Sequence, residues 1–221
     1  MKQKELLIIV RHARTLTNIR VSEDMDPEIT DYGHKQSRNV AKFFKKHMDL
    51  SGVSYFTSPF LRCLQTADPI QNLLGVVFTV RPELREYVNH ARRDAVVPVR
   101  KLDYPDMNWS YFDQYEDGEE ITYKDEFNEE LLNRIHDLHH SLPEKSLCLT
   151  HGLPALTLLH VATKNVNAVP IWDHSLDNAS ITVIVKGRVV WHGRNLYHEL
   201  EQDPFDKTRA YDASDLIIPK H

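Results

Sequence analysis

The chain has 221 residues, enough for one sizeable hydrophobic core with room for a small insert. Its net charge of −5 argues against general nucleic-acid binding, which needs a basic footprint, but leaves room for one locally positive pocket. No apolar run approaches a membrane span, and the two cysteines, Cys63 and Cys148, are too few for a disulfide framework or a zinc quartet. A reducing, cytoplasmic setting follows as the plain expectation, with neither membrane nor nucleic acid as a partner.

The opening MKQKELLIIVRHAR has an apolar stretch too short for a signal peptide and no small-residue cleavage site, so it predicts a first strand over Leu6–Val10. Tyr32–His47 has a helical pattern and follows Thr30-Asp31, either of which can cap it. Val53–Thr57 predicts a second strand. Ser58-Pro59 then offers an N-cap with proline in the first helical position, ahead of a helix over Phe60–Leu74. Val76–Val80 predicts a strand, and Glu126–Ser141 a helix with Phe127, Leu131, Ile135 and Leu138 on one face. Leu147–Thr150, a helix over Leu153–Thr163, and the strands Ile181–Val185 and Val189–His192 complete the pattern. Alternating strands and helices imply a three-layer α/β/α domain around a mostly parallel sheet.

Residues 103–130 break this rhythm. DYPDMNWSYFDQYEDGEEITYKDEFNEE is acidic and aromatic, with Lys124 its one basic residue. It reads either as a solvated excursion or as a cap that turns Trp109, Tyr111 and Phe112 toward a ligand. The expectation is a single domain over 1–221 with a candidate insert at about 103–130. A polar tail from Leu200 to His221 ends in an apolar LIIP before the last two residues.

Why a buried-looking strand should end in Arg11-His12-Ala13-Arg14 becomes clear beside three other places. These are Asn18, then TSPFLRCLQTA with Arg62 in the first turn of its helix, and CLTHGLPA, where a strand delivers His151 and Gly152 to a helix start. In a mostly parallel sheet the strand C-termini converge on one edge, where ligands bind. Two helix N-termini there would offer free N–H groups and favourable dipoles to an anion. Arginine forks and imidazoles around one small space suit a phosphoryl group, with an imidazole as nucleophile.

These residues also carry a resemblance. VRHARTLTN resembles the RHG-type signature of the histidine phosphatase superfamily, the phosphoglycerate mutase-like family. SPFLRCLQTA resembles that family's S-P-x-x-R-x-x-Q-T-A segment, LREY its L-x-E segment, and THG its second histidine motif. DPEITDYGHKQS is similar to the stretch around L-T-x-x-G-x-x-Q, and DNASIT to a late N-x-S-I-T. The matches run in the family's order from residue 8 to about residue 184. The resemblance implies a phosphoglycerate mutase-like fold and a phosphatase that works through phosphohistidine at His12, without metal or organic cofactor. It further implies a phosphate pocket completed by Arg11, Arg62 and His151, and a hydrogen bond from Asn18. Gly152, of the THG motif, joins that phosphate site at the helix start. Glu86 matches the acid that protonates the leaving oxygen, and Glu83, three residues earlier, is its rival.

Physical requirements agree with these roles. His12 must be neutral to attack, so its other ring nitrogen should be held by a hydrogen bond to backbone. Phosphoryl transfer needs positioning and charge neutralisation, which Arg11 and Arg62 supply as fixed charge. The family's usual glycine after the histidine is Ala13 here, and its common glutamate two residues on is Arg14, which reads as a contact to a second anionic group on the substrate ahead of a solvated loop residue. After LREY the chain has neither the G-x-W-E-G of many cofactor-independent phosphatases nor the R-H-Y-G-x-L-x-G of glycolytic mutases. Hydrolysis of a phosphomonoester, on a small molecule or a phosphoprotein, is therefore expected ahead of mutase-type transfer or a non-catalytic phospho-ligand module.

Other candidates read as ordinary structure. His136 and His140 lack an H-E-x-x-H motif and a third metal ligand. His139, His160, His174, His192 and His198 form no coherent ligand set. A cysteine-phosphatase loop fails because the arginine expected six residues after Cys63 or Cys148 is Pro69 or Pro154. Arg92-Arg93 and Arg100-Lys101 read as a solvated face ahead of a polyanion-binding one.

Overall fold

A computed structural model describes residues 3–88, 94–163, 176–194 and 196. A six-stranded sheet runs in the order β3-β2-β6-β1-β7-β8, built from β1 (Leu6–Arg11), β2 (Ser54–Thr57), β3 (Phe78–Val80), β6 (Lys145–Thr150), β7 (Ile181–Val185) and β8 (Arg188–Arg194). The four strands β3, β2, β6 and β1 are parallel, and β7 and β8 add an antiparallel edge. This is the mostly parallel α/β/α architecture expected from the alternation of elements.

The alternation of side chains along β1 explains the two covered faces, since successive residues of a strand point to opposite sides. Ile8 and Val10 join a core with Val40, Phe44, Leu64 and Ile70 from α1 (Asp31–His47) and α2 (Leu61–Leu74). Leu7 and Ile9 join Leu131, Ile135, Leu138 and Leu158 from α3 (Asn128–Ser141) and α4 (Gly152–Thr163) on the other side. Burial of both faces is why these strands are continuous apolar runs.

Helix boundaries follow local chemistry. Thr30 caps α1, its Oγ1 accepting from Gly33 N at 3.0 Å, and Lys45, Lys46 and His47 complement the dipole at the far end. Gly33 is required by close approach: a Cβ there would lie 2.4 Å from the Arg14 carbonyl oxygen. Gly75 ends α2 in the left-handed region at φ 66. The start of α2 departs from expectation. Its N-cap is Phe60, without a side-chain cap, so Pro59 lies outside the helix. The Ser58 hydroxyl accepts from Phe60 N at 3.3 Å, and Leu61 N donates instead to Asp26 Oδ1 at 2.7 Å.

The segment between β3 and α3 holds a hairpin that the sequence pattern did not predict, β4 (Ala95–Pro98) and β5 (Glu120–Tyr123). Trp109 and Phe112 are buried and edge-on to each other, with Trp109 Nε1 donating to the Tyr104 carbonyl at 3.0 Å. Tyr111 lies under the Arg81 guanidinium, 4.2 Å from its ring centroid. Trp109 and Phe112 thus pack into the protein interior, and Tyr111 packs on Arg81. The expected tail over 200–221, together with His174, Arg92 and Arg93, lies outside the described residues.

Candidate active site

Register builds the site. Arg11 pairs with Thr150 across β1 and β6, so the next residue of each strand, His12 and His151, emerges at the same sheet edge. Their ring centroids are 5.3 Å apart. Thr57, at the end of β2, pairs with Leu149, which brings Ser58 and the start of α2 to that edge. A cavity of about 850 Å³ opens there, lined by Arg11, His12, Asn18, Arg62, Glu86 and Gly152 among others. His151 lies buried against it, with its Nδ1 3.5 Å from Glu86 Oε2.

The backbone around His12 is held from every side. Its N–H donates to the Thr150 carbonyl at 2.9 Å, and its carbonyl accepts from Ala179 N at 3.0 Å and Asn178 Nδ2 at 3.2 Å. Ala13 N donates to Thr66 Oγ1 at 3.0 Å and Arg14 N to Gln36 Oε1 at 2.9 Å. Gln36, Thr66 and Asn178 come from three of the short motifs noted in the sequence, which accounts for why those motifs accompany the histidine.

Both imidazoles are protonated on one defined nitrogen. His12 Nδ1 lies 2.8 Å from the Ala13 carbonyl, which can only accept, so Nδ1 carries the proton and Nε2 keeps its lone pair. Arg62 Nε donates to His151 Nδ1 at 3.1 Å, leaving the proton on Nε2, 2.8 Å from Ser58 Oγ. Burial, then the charge of Arg62 and Arg11, pushes the His12 pKa well below the usual imidazole range. Burial and Arg62 do the same to His151, with His12 and Arg11 adding to them.

The two glutamates separate cleanly. Glu86 lines the cavity, with Oε2 3.4 Å from Arg62 Nη2 and Oε1 accepting from Tyr87 N at 2.9 Å. Glu83 is gripped by Arg81, whose Nε and Nη2 donate to its two oxygens at 2.9 Å each. Burial raises the Glu83 pKa, but those bonds and the Arg81 charge outweigh it and hold the carboxyl below its ordinary range. The loop between them is tied down by Thr150 Oγ1 donating to the Leu84 carbonyl at 2.7 Å and by Arg134 donating to the carbonyls of Glu83 and Arg85.

Arg11 is anchored through the Leu176 carbonyl, and burial lowers its pKa. Asn18 Oδ1 accepts from Thr15 N and Thr15 Oγ1, at 3.0 and 2.9 Å, which leaves its N–H groups as the donors for a ligand. Gly152 begins α4 beside Arg11: a Cβ there would meet Arg11 Cζ at 3.6 Å. At the start of α2, Ser58 and Asp26 already accept from the N–H groups of Phe60 and Leu61. Arg14 is not brought to the site. It is buried over the Tyr32 ring, 5.8 Å from its centroid, and is not among the residues lining the cavity.

His12, Glu86 and His151 also present ligand atoms within 4.8 Å of one another, a spacing that suits a metal ion. The Arg11 and Arg62 guanidiniums line the same space and oppose a dication there. Cys63 and Cys148 are buried and free, and burial raises both thiol pKa values, that of Cys148 to about 12. Neither is a nucleophile at neutral pH.

Solved structures share this fold at low identity. The ecdysone phosphate phosphatase from Bombix mori, in complex with tungstate, is 13% identical over 96% of this chain and 99% of its own, with a TM-score of 0.63. A phosphoserine phosphatase from Entamoeba histolytica, in complex with 3-phosphoglyceric acid, is 19% identical over 80% of this chain and 89% of its own, with a TM-score of 0.53. The mycobacterial glucosyl-3-phosphoglycerate phosphatase is 19% identical over 82% and 90%, at a TM-score of 0.53. No curated protein matches the chain. The family model of the histidine phosphatase superfamily, branch 1, matches residues 7–197, and the chain belongs to that superfamily.

Proposed function

We propose that the protein is a phosphomonoesterase that works through phosphohistidine at His12. The observation that carries this reading is the tautomer of His12: a buried, neutral ring with Nδ1–H on the Ala13 carbonyl and an unprotonated Nε2 beside two arginines. Nε2 attacks phosphorus as the bond to the leaving oxygen breaks, and Glu86, in its protonated form, gives that oxygen a proton. Glu86 then takes a proton from water, which attacks phosphorus and breaks the N–P bond. Arg11, Arg62, Asn18 and the N–H groups at Gly152 and Leu153 receive the phosphoryl oxygens, while His151, its two nitrogens engaged by Arg62 and Ser58, holds the Arg62 guanidinium in place; charge neutralisation thus comes from the chain.

The phosphatase names of the structural neighbours, and the missing R-H-Y-G-x-L-x-G, favour hydrolysis over transfer back to the substrate. Among the described residues no helix is long and apolar enough to cross a membrane. Two buried free thiols suit a reducing compartment such as the cytoplasm.

The test is hydrolysis of an aryl phosphate with chelator present, by the native protein and by His12→Ala. Turnover that survives chelator and vanishes in the variant is expected. Equal turnover in both proteins would remove His12 from the mechanism. Tight phosphate binding without turnover would make this a binding module, and isomerised product without phosphate release a mutase.

A further inference from the structure

Every nitrogen of the Arg62 guanidinium has a protein partner: Nε the imidazole of His151, Nη1 the Met25 carbonyl at 3.0 Å, Nη2 the carboxylate of Glu86. Met25 and Pro27 line the cavity, but Asp26 between them does not. The Asp26 side chain is 4% exposed and turns into the protein. Its Oδ1 accepts from Leu61 N at 2.7 Å and lies 3.9 Å from Arg62 Nη1, while Oδ2 forms a 2.8 Å ion pair with Arg100 Nη1. Arg100 follows β4, donates to the Pro98 carbonyl at 3.2 Å, and is one residue past Val99, whose backbone bonds Gly118 and Glu119. A buried carboxylate between two guanidiniums is sustained only while both are in place, and removing one partner strands the charge.

We propose that Asp26 and Arg100 form a strut that holds Arg62 in its clamping position and ties it to the β4–β5 hairpin. Asp26 is thus a positioning residue, not a catalytic one. The proposal rests on the reading of the cavity as a phosphoryl site. The plainer role, a cap for α2 supplied from elsewhere in the chain, needs only an oxygen at Leu61 N. Asp26→Asn keeps that oxygen and removes the charge, so the two roles separate.

The experiment titrates inorganic phosphate into the folded native protein, Asp26→Asn, Arg100→Gln, Arg100→Lys and the double variant, with each melting temperature recorded. A strut predicts that Asp26→Asn and Arg100→Gln each weaken phosphate binding by about tenfold. The double variant is no weaker than the worse single one, and Arg100→Lys recovers most of the loss. Native protein that binds phosphate, with Asp26→Asn and Arg100→Gln both within twofold of it, would overturn the strut alone. Native protein that takes up no phosphate would overturn the phosphoryl site and the strut together. Where Asp26→Asn does not fold, Arg100→Gln at the outer end of the strut gives the same answer.

Discussion

His12 and His151 sit side by side but carry their protons on different ring nitrogens, because one faces a carbonyl and the other a guanidinium. That difference divides their work in the proposed mechanism: His12 would present its lone pair to phosphorus, while His151 is locked between Arg62 and Ser58. Of Glu83 and Glu86, Glu86 alone lines the cavity, so its neutralisation should act on the leaving group. Glu86→Gln is expected to lower kcat/KM for an alkyl phosphate by about 10²–10⁴. The loss should be far smaller for nitrophenyl phosphate, whose leaving oxygen needs no proton. Glu83→Gln should leave the ratio of the two substrates unchanged. Measuring kcat/KM for both substrates checks this, and a ratio that moves with Glu83 instead would transfer the role to that residue.

The elements matter here through where they stop. β1, β2 and β6 end at one edge and deliver Arg11, Ser58 and His151. Gly33 lets α1 pack against the loop that carries Arg14. Gly33→Ala is expected to destabilise by about 1–3 kcal/mol through overpacking, against the usual gain from alanine in a helix, as read by chemical denaturation. An unchanged or raised midpoint would mean that the loop yields without cost. The six sheet strands and four helices were legible in the sequence because burial on both faces makes the strands continuous apolar runs and because Thr30 caps α1 locally. The β4–β5 hairpin was not: its strands are short and half-exposed, and β4 ends at Pro98, so neither period stands out. The start of α2 was misplaced because its cap comes from Asp26, 35 residues earlier, which no local pattern reveals. That Arg11, His12, Arg62 and His151 meet at one sheet edge was legible, since Arg11 ends β1, His12 and His151 follow β1 and β6, and Arg62 lies in the first turn of α2, whereas Glu86, past the turn at Pro82–Leu84, was read from the LREY resemblance alone. Arg14 was not legible, because strand-end position says nothing about which way a side chain then turns.

At the scale of the molecule, buried imidazoles link stability to pH. His139 on α3 is buried with Nε2 lacking a hydrogen-bond partner, and burial followed by the charges of Lys4 and His140 lowers its pKa to about 4. In the unfolded chain it titrates near 6.5, so between those values the unfolded state binds the proton and the folded state does not. Stability is therefore lost as pH falls from about 6.5 toward 4, by up to about 1.4 kcal/mol per pH unit from this group, and His12 and His151 act in the same sense. His139→Leu should narrow the difference in unfolding free energy between pH 7 and pH 5. An unaltered difference would mean that His139 titrates equally in both states.

The measurement that bears most directly on the whole account is chemical trapping of the intermediate. Glu86→Gln, which has lost the base for the second step, is mixed with nitrophenyl phosphate, quenched in alkaline denaturant and digested for mass spectrometry. The mechanism predicts a phosphoryl group on His12 that survives alkali and is lost in acid, and none after His12→Ala is introduced. Release of nitrophenol with no phosphoryl group on His12, or with one on another residue, would contradict it.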